Sequence, residues 1–154
     1  MRIDFIDQHR DRVATLAAWH HAQWGHLYDY WSLDVARAEL EEHATRRSLP
    51  TTLVLLDGET LLGSVSVVLE DAPELRDQGS PWLASLYVVS EARGRGLGKQ
   101  LVSAAVELAA RERARQLLLF TPDRAAFYQR LGWRLLTRTA LKGTPVDLME
   151  IETA

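Results

Sequence analysis

The apolar residues of this chain recur with two different periods, which predict helices and strands in succession. A spacing near 3.6 residues is typical of amphipathic helices. These are expected over about 9–23, from Ser32 to a point before Pro50, over about 97–113, and from Pro122 to about Leu131. Short apolar runs bounded by turn residues predict strands over 2–6, 52–56, 61–69, 82–89, 116–120, 133–138 and 146–152.

Turn and capping residues mark several of the element boundaries. Ser32 is a suitable N-cap for the second helix, because its hydroxyl can accept a hydrogen bond from a free N–H group of the first turn. Asp57-Gly58 lies between two apolar runs and predicts a hairpin turn. Gly132 is placed to end the last helix as a C′ glycine. Residues 70–81 are expected to form a polar loop.

The predicted order, β-α-α-β-β-β-α-β-α-β-β, combines antiparallel hairpins with one helical crossover. It indicates a mixed sheet covered by helices, which is a fold of the α/β class. The 154 residues, 47% of them hydrophobic, are enough for a single domain over 1–154. The chain has no cysteine, which excludes disulfides, thiolate metal ligands and thiol nucleophiles. No apolar run approaches a membrane span, so we expect a cytoplasmic protein without a membrane partner.

The net charge of −3 is unevenly distributed along the chain. Residues 1–81 carry 7 basic and 14 acidic side chains, whereas residues 82–154 carry 11 basic and 7 acidic ones. One interpretation is a basic half that binds a polyanion beside an acidic half that faces a cationic ligand, and the other is uneven surface decoration. The basic residues are not clustered with exposed aromatic residues, so we expect no nucleic-acid partner. His20, His21 and His26 lack the spacing of a helical metal pair, so we expect no metal.

A glycine-rich segment follows the apolar strand at 82–89 and leads into a helix expected to begin near Leu97. It reads Arg93-Gly94-Arg95-Gly96-Leu97-Gly98-Lys99. Glycines at alternate positions permit positive φ angles and leave no Cβ atoms to hold a ligand away. Unpaired N–H groups at a helix N-terminus attract anions, and the three basic side chains add positive charge there. The segment therefore predicts a site for a diphosphate group.

Two common phosphate-binding motifs do not fit this segment. A P-loop requires glycine at the position of Arg93 and Ser or Thr at that of Gln100, and the dinucleotide motif requires glycine at Lys99. What remains is Arg-x-x-Gly-x-Gly, filled by Arg93, Gly96 and Gly98. This resembles the acetyl-CoA-binding motif of the GNAT superfamily of N-acyltransferases. Taken alone, the segment could also be a plain strand-to-helix turn.

Residues 119–133 are similar to a second GNAT signature. They combine a strand, a short helix that carries Phe127-Tyr128, and the sequence Leu131-Gly132-Trp133. The resemblance extends over essentially the whole chain. It implies the GNAT fold, with a mixed central sheet of about seven strands flanked by four helices. An asparagine often found seven residues before the tyrosine is replaced by Thr121, which can still cap the helix.

The resemblance also implies where acetyl-CoA binds. The strand before the glycine segment should splay from the next strand, so that the pantetheine arm can insert between them. The implied cofactor-binding residues are Leu86, Tyr87, Val88, Arg93, Gly94, Arg95, Gly96, Leu97, Gly98 and Lys99. Tyr128 is implied to give a proton to the departing thiolate. Nearby arginines and a helix N-terminus could lower the pKa of its phenol for this purpose.

The implied reaction is transfer of an acetyl group from acetyl-CoA to a primary amine, by direct attack in a ternary complex. The alternative is a non-catalytic acyl-CoA-binding or sensor domain, which would keep the glycine segment without the chemistry. Some family members carry a glutamate at the position of Trp82, and that carboxylate is absent here. The base could instead be Glu70 or Asp71, acting directly or through water, or there could be no dedicated base.

Aromatic residues cluster between positions 19 and 31, which the resemblance places beside the acceptor site. Their faces, with Asp29 and Asp34 nearby, would suit a cationic small molecule or peptide amine, although helix packing would explain some of them equally well. The candidate substrate residues are Trp24, Tyr28, Trp31, Glu70 and Asp71. The identity of the amine, the preferred acyl chain and the oligomeric state stay open, with a homodimer as one candidate assembly.

Overall fold

Seven strands form one mixed sheet in a computed structural model that describes residues 1–27 and 31–154. The strands are β1 (Arg2–Phe5), β2 (Thr51–Asp57), β3 (Thr60–Val68), β4 (Trp82–Val88), β5 (Gln116–Thr121), β6 (Arg134–Leu141) and β7 (Thr144–Glu152). The α-helices of the described residues are α1 (Val13–Trp24), α2 (Leu33–His43), α3 (Leu97–Arg111) and α4 (Ala125–Arg130). The predicted α/β class with a seven-stranded mixed sheet is therefore confirmed.

The strand order is β1-β2-β3-β4-β5-β7-β6, and every neighbouring pair is antiparallel except β4 and β5. Helix α3 connects these two parallel strands as the crossover that a parallel pair needs. Alternate residues of β2 belong to different cores: Leu53 and Leu55 pack with α3, whereas Val54 and Leu56 pack with α1 and α2. Because helices cover both faces, the central strands are buried on both sides, and the buried polar residues Ser64 and Ser66 of β3 are hydrogen-bonded to His20 and Thr52.

The local signals that predicted element ends are confirmed. The Ser32 hydroxyl accepts a hydrogen bond from the N–H of Val35 at 3.1 Å and caps α2. Gly132, with φ +96°, follows α4 and donates its N–H to the carbonyl of Gln129 at 3.1 Å. The N–H of Trp133 reaches back to the carbonyl of Tyr128, also at 3.1 Å, which completes a Schellman motif.

Several predictions of element bounds differ from the structure, and β6, for example, ends at Leu141 instead of Arg138. Helix α1 begins at Val13 rather than near residue 9, because His9 leaves the helical region and bonds to the Asp4 carboxylate at 2.8 Å. Helix α4 begins at Ala125 rather than Pro122, because the Thr121 hydroxyl accepts the N–H of Arg124 at 3.0 Å and forms a turn there. The stretch expected to be a polar loop contains a 3₁₀-helix, Pro73–Gln78, anchored by a buried leucine. Within the two described ranges, no helix has the length and apolar character needed to cross a membrane.

Candidate active site

Strands β4 and β5 diverge from one another after a single pairing. In the described chain their parallel register consists of Trp82 opposite Leu118, and the N–H of Leu118 also donates to the Pro81 carbonyl at 3.0 Å. Toward their C-terminal ends the two strands form no further ladder in the described chain, so this side of the β4 backbone is open. This is the splay that the sequence resemblance implied.

A β-bulge in β4 lies next to the opening. Tyr87 pairs with Ser64 and Ala84 pairs with Ser66, so Ser85 and Leu86 together stand opposite Val65. Ser85 has φ +55°, an uncommon angle for a residue with a side chain. Bulges of this kind bend a strand and change the direction of its backbone groups, and they are frequent beside active sites. The bulge thus lies beyond the point at which β4 and β5 cease to pair.

The glycine loop, residues 93–98, connects β4 to the N-terminus of α3. Gly94 and Gly96 have φ angles of +81° and +77°, which glycine adopts without steric cost. The first helical hydrogen bond runs from the N–H of Gln100 to the Gly96 carbonyl at 3.2 Å, and no side chain caps the helix. The N–H groups of residues 97–99 therefore lack intrahelical acceptors. No atom lies within 4 Å of a Cβ built on Gly94 or Gly96, so the outer side of the loop is open.

The basic residues of the loop occupy different environments. The Nε–H of Arg93 donates to the Val88 carbonyl at 2.8 Å, and its guanidinium carbon lies 5.8 Å from the centre of the Tyr87 ring. Arg93 and Lys99 line the same cavity as the glycines. Arg95 is exposed and bonds at 3.5 Å to the Ala92 carbonyl, and it is not among the residues that line the cavity.

The opening between β4 and β5 belongs to a cavity of about 620 Å³. One end is formed by the glycine loop and the start of α3, and the other by the end of α1, the side of α2 and the segment after β3. The predicted cofactor residues in its lining are Leu86, Tyr87, Val88, Arg93, Gly94, Gly96, Leu97, Gly98 and Lys99. The predicted catalytic and substrate residues in its lining are Trp24, Trp31, Asp71 and Tyr128. The cavity thus brings together residues from both halves of the sequence.

Tyr128 projects from α4 and is almost fully buried, with 6% of its surface exposed. Its ring packs edge-on against Phe127 and Trp133, at centroid distances of 5.0 and 5.7 Å. Burial raises the pKa of its phenol to about 12, while the nearby Arg124 guanidinium acts weakly in the opposite direction. Arg124 thus acts in the direction that the sequence suggested, but desolvation of the phenolate outweighs the attraction of the cation, so the pKa rises instead of falling.

Of the two predicted carboxylate bases, one lies in the cavity. Asp71 is half-buried in the segment after β3, and burial, assisted by repulsion from Glu39, raises its pKa to about 7. Glu70 is exposed and is not among the lining residues. At the position where some relatives carry a glutamate, Trp82 is fully buried and its indole N–H donates to the Gly79 carbonyl at 2.9 Å.

Some aromatic residues near the end of α1 pack against the sheet, and others line the cavity. Trp19 stacks on the Tyr87 ring at 5.4 Å, which is a packing contact between helix and sheet. Trp24 meets the same ring edge-on at 6.3 Å and also lines the cavity, as does Trp31. The predicted substrate residue Tyr28 lies outside the described residues.

Glu39 is a residue of the cavity that the sequence analysis did not identify. It lies on α2 between Ala36, Leu40 and His43, all of which are buried on one stripe of the helix. The signal was available in the sequence, because residues 36, 39, 40 and 43 share one helical face. Glu39 itself is exposed, but it stands beside this buried stripe and lines the cavity, which distinguishes it from the glutamates on the outer side of the helix.

The splayed strands, the open glycine loop and the uncapped start of α3 define an α/β protein suited to an extended ligand that carries an anionic group. The sequence model of the acetyltransferase (GNAT) family matches residues 13–133. The chain therefore belongs to the GNAT family, and it is an acetyltransferase that uses acetyl-CoA. Among the described residues there is no group of three or more histidine, aspartate or glutamate side chains that could hold a metal ion.

Solved structures of several acetyltransferases share this fold. A crystal structure of aminoglycoside 6′-acetyltransferase type Ii has a TM-score of 0.77 and 20% identity, over 100% of this chain and 98% of that one. The crystal structure of an aminoglycoside 6′-N-acetyltransferase in complex with coenzyme A has a TM-score of 0.74 and 18% identity, over 100% of this chain and 98% of that one. A spermidine N-acetyltransferase chimera, derived in part from Vibrio cholerae, has a TM-score of 0.72 and 16% identity, over 99% of this chain and 97% of that one. No curated protein sequence matches the chain.

Proposed function

We propose that this protein transfers the acetyl group of acetyl-CoA to a primary amine of a cationic small molecule or peptide, by direct attack in a ternary complex. The observation that carries the proposal is one continuous cavity with two chemically different ends. A glycine loop and cationic side chains form one end, a carboxylate with a pKa near neutrality lies at the other, and a phenol faces the same space. The aminoglycoside and spermidine enzymes with this fold bear names of amine acceptors, which is consistent with the proposal.

At the basic end, we assign the N–H groups at the start of α3, together with Arg93 and Lys99, to the diphosphate of acetyl-CoA. Charge-assisted hydrogen bonds from main-chain N–H groups suit this ligand. The open backbone of β4 at residues 86–88 is assigned to the amides of the pantetheine arm. The Arg93 bond to the Val88 carbonyl occupies one acceptor of this stretch, so the arm would either use the others or displace that side chain.

Asp71 is assigned as the base. An alkylammonium group has a pKa of about 10.4, so its proton passes to a carboxylate with a pKa of about 7 at a cost of roughly 5 kcal/mol. The same transfer to an aspartate at the ordinary value of 3.8 would cost roughly 9 kcal/mol. The environment of Asp71 therefore makes it a much better proton acceptor than an exposed aspartate, while about half of it is ionised at pH 7.

The reaction balances with these groups. The amine nitrogen forms a bond to the acetyl carbon and gives a proton to Asp71, and the carbon–sulfur bond breaks with its electron pair on sulfur. Tyr128 is assigned to interact with the sulfur atom of the departing thiolate. Complete transfer from a phenol of pKa about 12 to a thiolate of pKa about 8.5 is uphill by roughly 5 kcal/mol, so its main contribution is a hydrogen bond that stabilises the developing thiolate.

A non-catalytic acyl-CoA-binding domain is the competing function. It would need the glycine loop and the open edge of β4, but it would have no use for a carboxylate that titrates near neutrality at the far end of the cavity. Asp71 is the observation that favours the enzyme.

The test measures thiol release from acetyl-CoA with a panel of primary amines, for the native protein and two matched variants. Asp71→Asn should lower kcat/KM by about 10²-fold or more, and it should remove a rise of kcat/KM with pH centred near 7. Glu70→Gln removes a carboxylate from the adjacent, exposed position and should change neither. Binding of acetyl-CoA without turnover of any amine would support the alternative, a non-catalytic acyl-CoA-binding domain. Full activity of Asp71→Asn would show that Asp71 is not the base.

A further inference from the structure

Helix α2 carries three glutamates with different partners. Glu41 pairs with Arg37 at 3.0 Å and Glu42 with Arg46 at 3.5 Å, both along the helix surface. Glu39 has no cationic partner in the described residues, and residues 28–30 contain no basic side chain. Its partner is the indole N–H of Trp31, which also lines the cavity. The carboxylate that faces the cavity is thus the one that the protein leaves without a counter-charge.

The surroundings of Glu39 and Asp71 disfavour two negative charges side by side. Glu39 is exposed at its residue surface, yet partial burial of its carboxylate raises its pKa, and Glu42 acts in the same direction. Asp71 lies close enough for the two carboxylates to repel each other. A positive charge between them would relieve both effects, because an opposite charge in a desolvated site stabilises each ionised group.

The two carboxylates are not equivalent. Burial raises the pKa of both carboxylates, that of Asp71 to about 7, and only Glu39 has a hydrogen bond from the Trp31 indole, which acts in the opposite direction. Asp71 is suited to accept and release a proton, and Glu39 shares the cavity with the aromatic rings of Trp24 and Trp31, which attract cations through their faces.

We propose that Glu39 binds a second positive charge of the acceptor, so that the enzyme selects amines carrying another ammonium group at a distance from the reacting nitrogen. The inference rests on the proposed function and specifies its substrate class. Glu39 acts as a specificity-determining residue: it exchanges no proton in the reaction, and its contact fixes the acceptor so that the reacting nitrogen lies toward Asp71. An acceptor with one amino group loses that contact but can still react.

The test compares 1,5-diaminopentane with pentylamine, which has the same carbon chain but lacks the second ammonium group. The native enzyme should have a kcat/KM for the diamine at least tenfold above that for the monoamine. Glu39→Gln should lower the diamine value about tenfold and leave the monoamine value within a factor of about 2. Glu41→Gln, which removes a charge from the outer surface of the same helix, should preserve the preference.

A purely structural role for Glu39 would reduce both amines equally, and that result would overturn the inference while leaving the acetyltransferase proposal intact. Equal use of the two amines by the native enzyme would do the same. If no amine supports turnover, the proposed function fails. Calorimetric titration of both amines into the CoA-loaded protein then decides the inference: a diamine preference that Glu39→Gln abolishes supports it, and any other pattern overturns it.

Discussion

Gly96 stands at the N-cap of α3 with a φ angle of +77°, and its replacement by alanine tests whether this backbone holds the diphosphate. The chain offers a matched control in Gly143, in the turn between β6 and β7, with φ +80°. A Cβ at either position would meet no protein atom within 4 Å. The two alanine variants therefore carry the same backbone strain, and only one of them places a methyl group in the cavity lining.

The expected magnitudes follow from this geometry. A left-handed conformation costs a residue with a side chain roughly 1–2 kcal/mol, and for a chain of this length each kcal/mol lowers the Tm by roughly 2–4 °C. Both variants should lose that much thermal stability. A methyl group that keeps the diphosphate from the N–H groups at the start of α3 removes at least one charge-assisted hydrogen bond, which contributes roughly 1.5–3 kcal/mol. The affinity of Gly96→Ala for acetyl-CoA should then fall roughly 10- to 100-fold.

Thermal unfolding and calorimetric titration with acetyl-CoA measure the two quantities separately. Acetylpantetheine, which carries the thioester without the diphosphate, provides a second control: Gly96→Ala should lose no activity with it beyond the loss shown by Gly143→Ala. If Gly96→Ala binds acetyl-CoA as tightly as Gly143→Ala does, the loop does not hold the diphosphate and the assignment of the basic end is wrong.

Two further predictions concern buried titratable groups. Tyr128→Phe should lower kcat by about 10²-fold with acetyl-CoA affinity unchanged, because the hydroxyl stabilises the thiolate only as it forms; unaltered turnover would exclude it from the mechanism. Burial lowers the pKa values of His20 and His43 to about 4, so the unfolded chain binds more protons between pH 6.5 and 4. The stability is complete above pH 6.5 and falls as the pH drops, by roughly 3 kcal/mol per histidine near pH 4. Urea unfolding at pH 8 and pH 5 should show this loss reduced by about half in His43→Gln, and an equal loss in that variant would contradict the assignment.

The boundaries that could be predicted from the sequence depend on contacts within a few residues. The Ser32 cap and the Gly132 motif are hydrogen bonds across three to five positions, and their residue types have few other uses. The start of α1 was wrong because His9 bonds to Asp4 on β1, and helical periodicity carries no information about that contact. The start of α4 was wrong for a related reason, since Thr121 was expected to cap the helix itself and instead forms the turn before it.

In the candidate site, too, the features that could be predicted from the sequence are those formed by residues close together in the chain. Its glycine loop is contiguous in sequence, so the loop, the adjoining strand and the helix start could be predicted together. Asp71 was also among the candidate residues, but its proximity to Glu39 could not be predicted, because the two residues are 32 positions apart on different elements and are brought together by the fold. The pKa of Tyr128 was misjudged because the sequence shows the nearby Arg124 but not the burial that outweighs it.

The uneven charge of the two halves has a specific consequence in the folded chain. The cavity takes its cations from the second half, through Arg93, Lys99 and Arg124, and two of its carboxylates from the first, through Glu39 and Asp71. Other acidic residues of the first half pair with arginines at the surface, namely Glu41 with Arg37, Glu42 with Arg46, and Asp7 with Arg47. Surface decoration thus accounts for part of the imbalance, and under the proposed function the charges within the cavity would place the donor diphosphate near Arg93 and Lys99 and a cationic acceptor near Glu39 and Asp71. A polyanionic donor and a polycationic acceptor would then enter in a single orientation, with the thioester facing the amine.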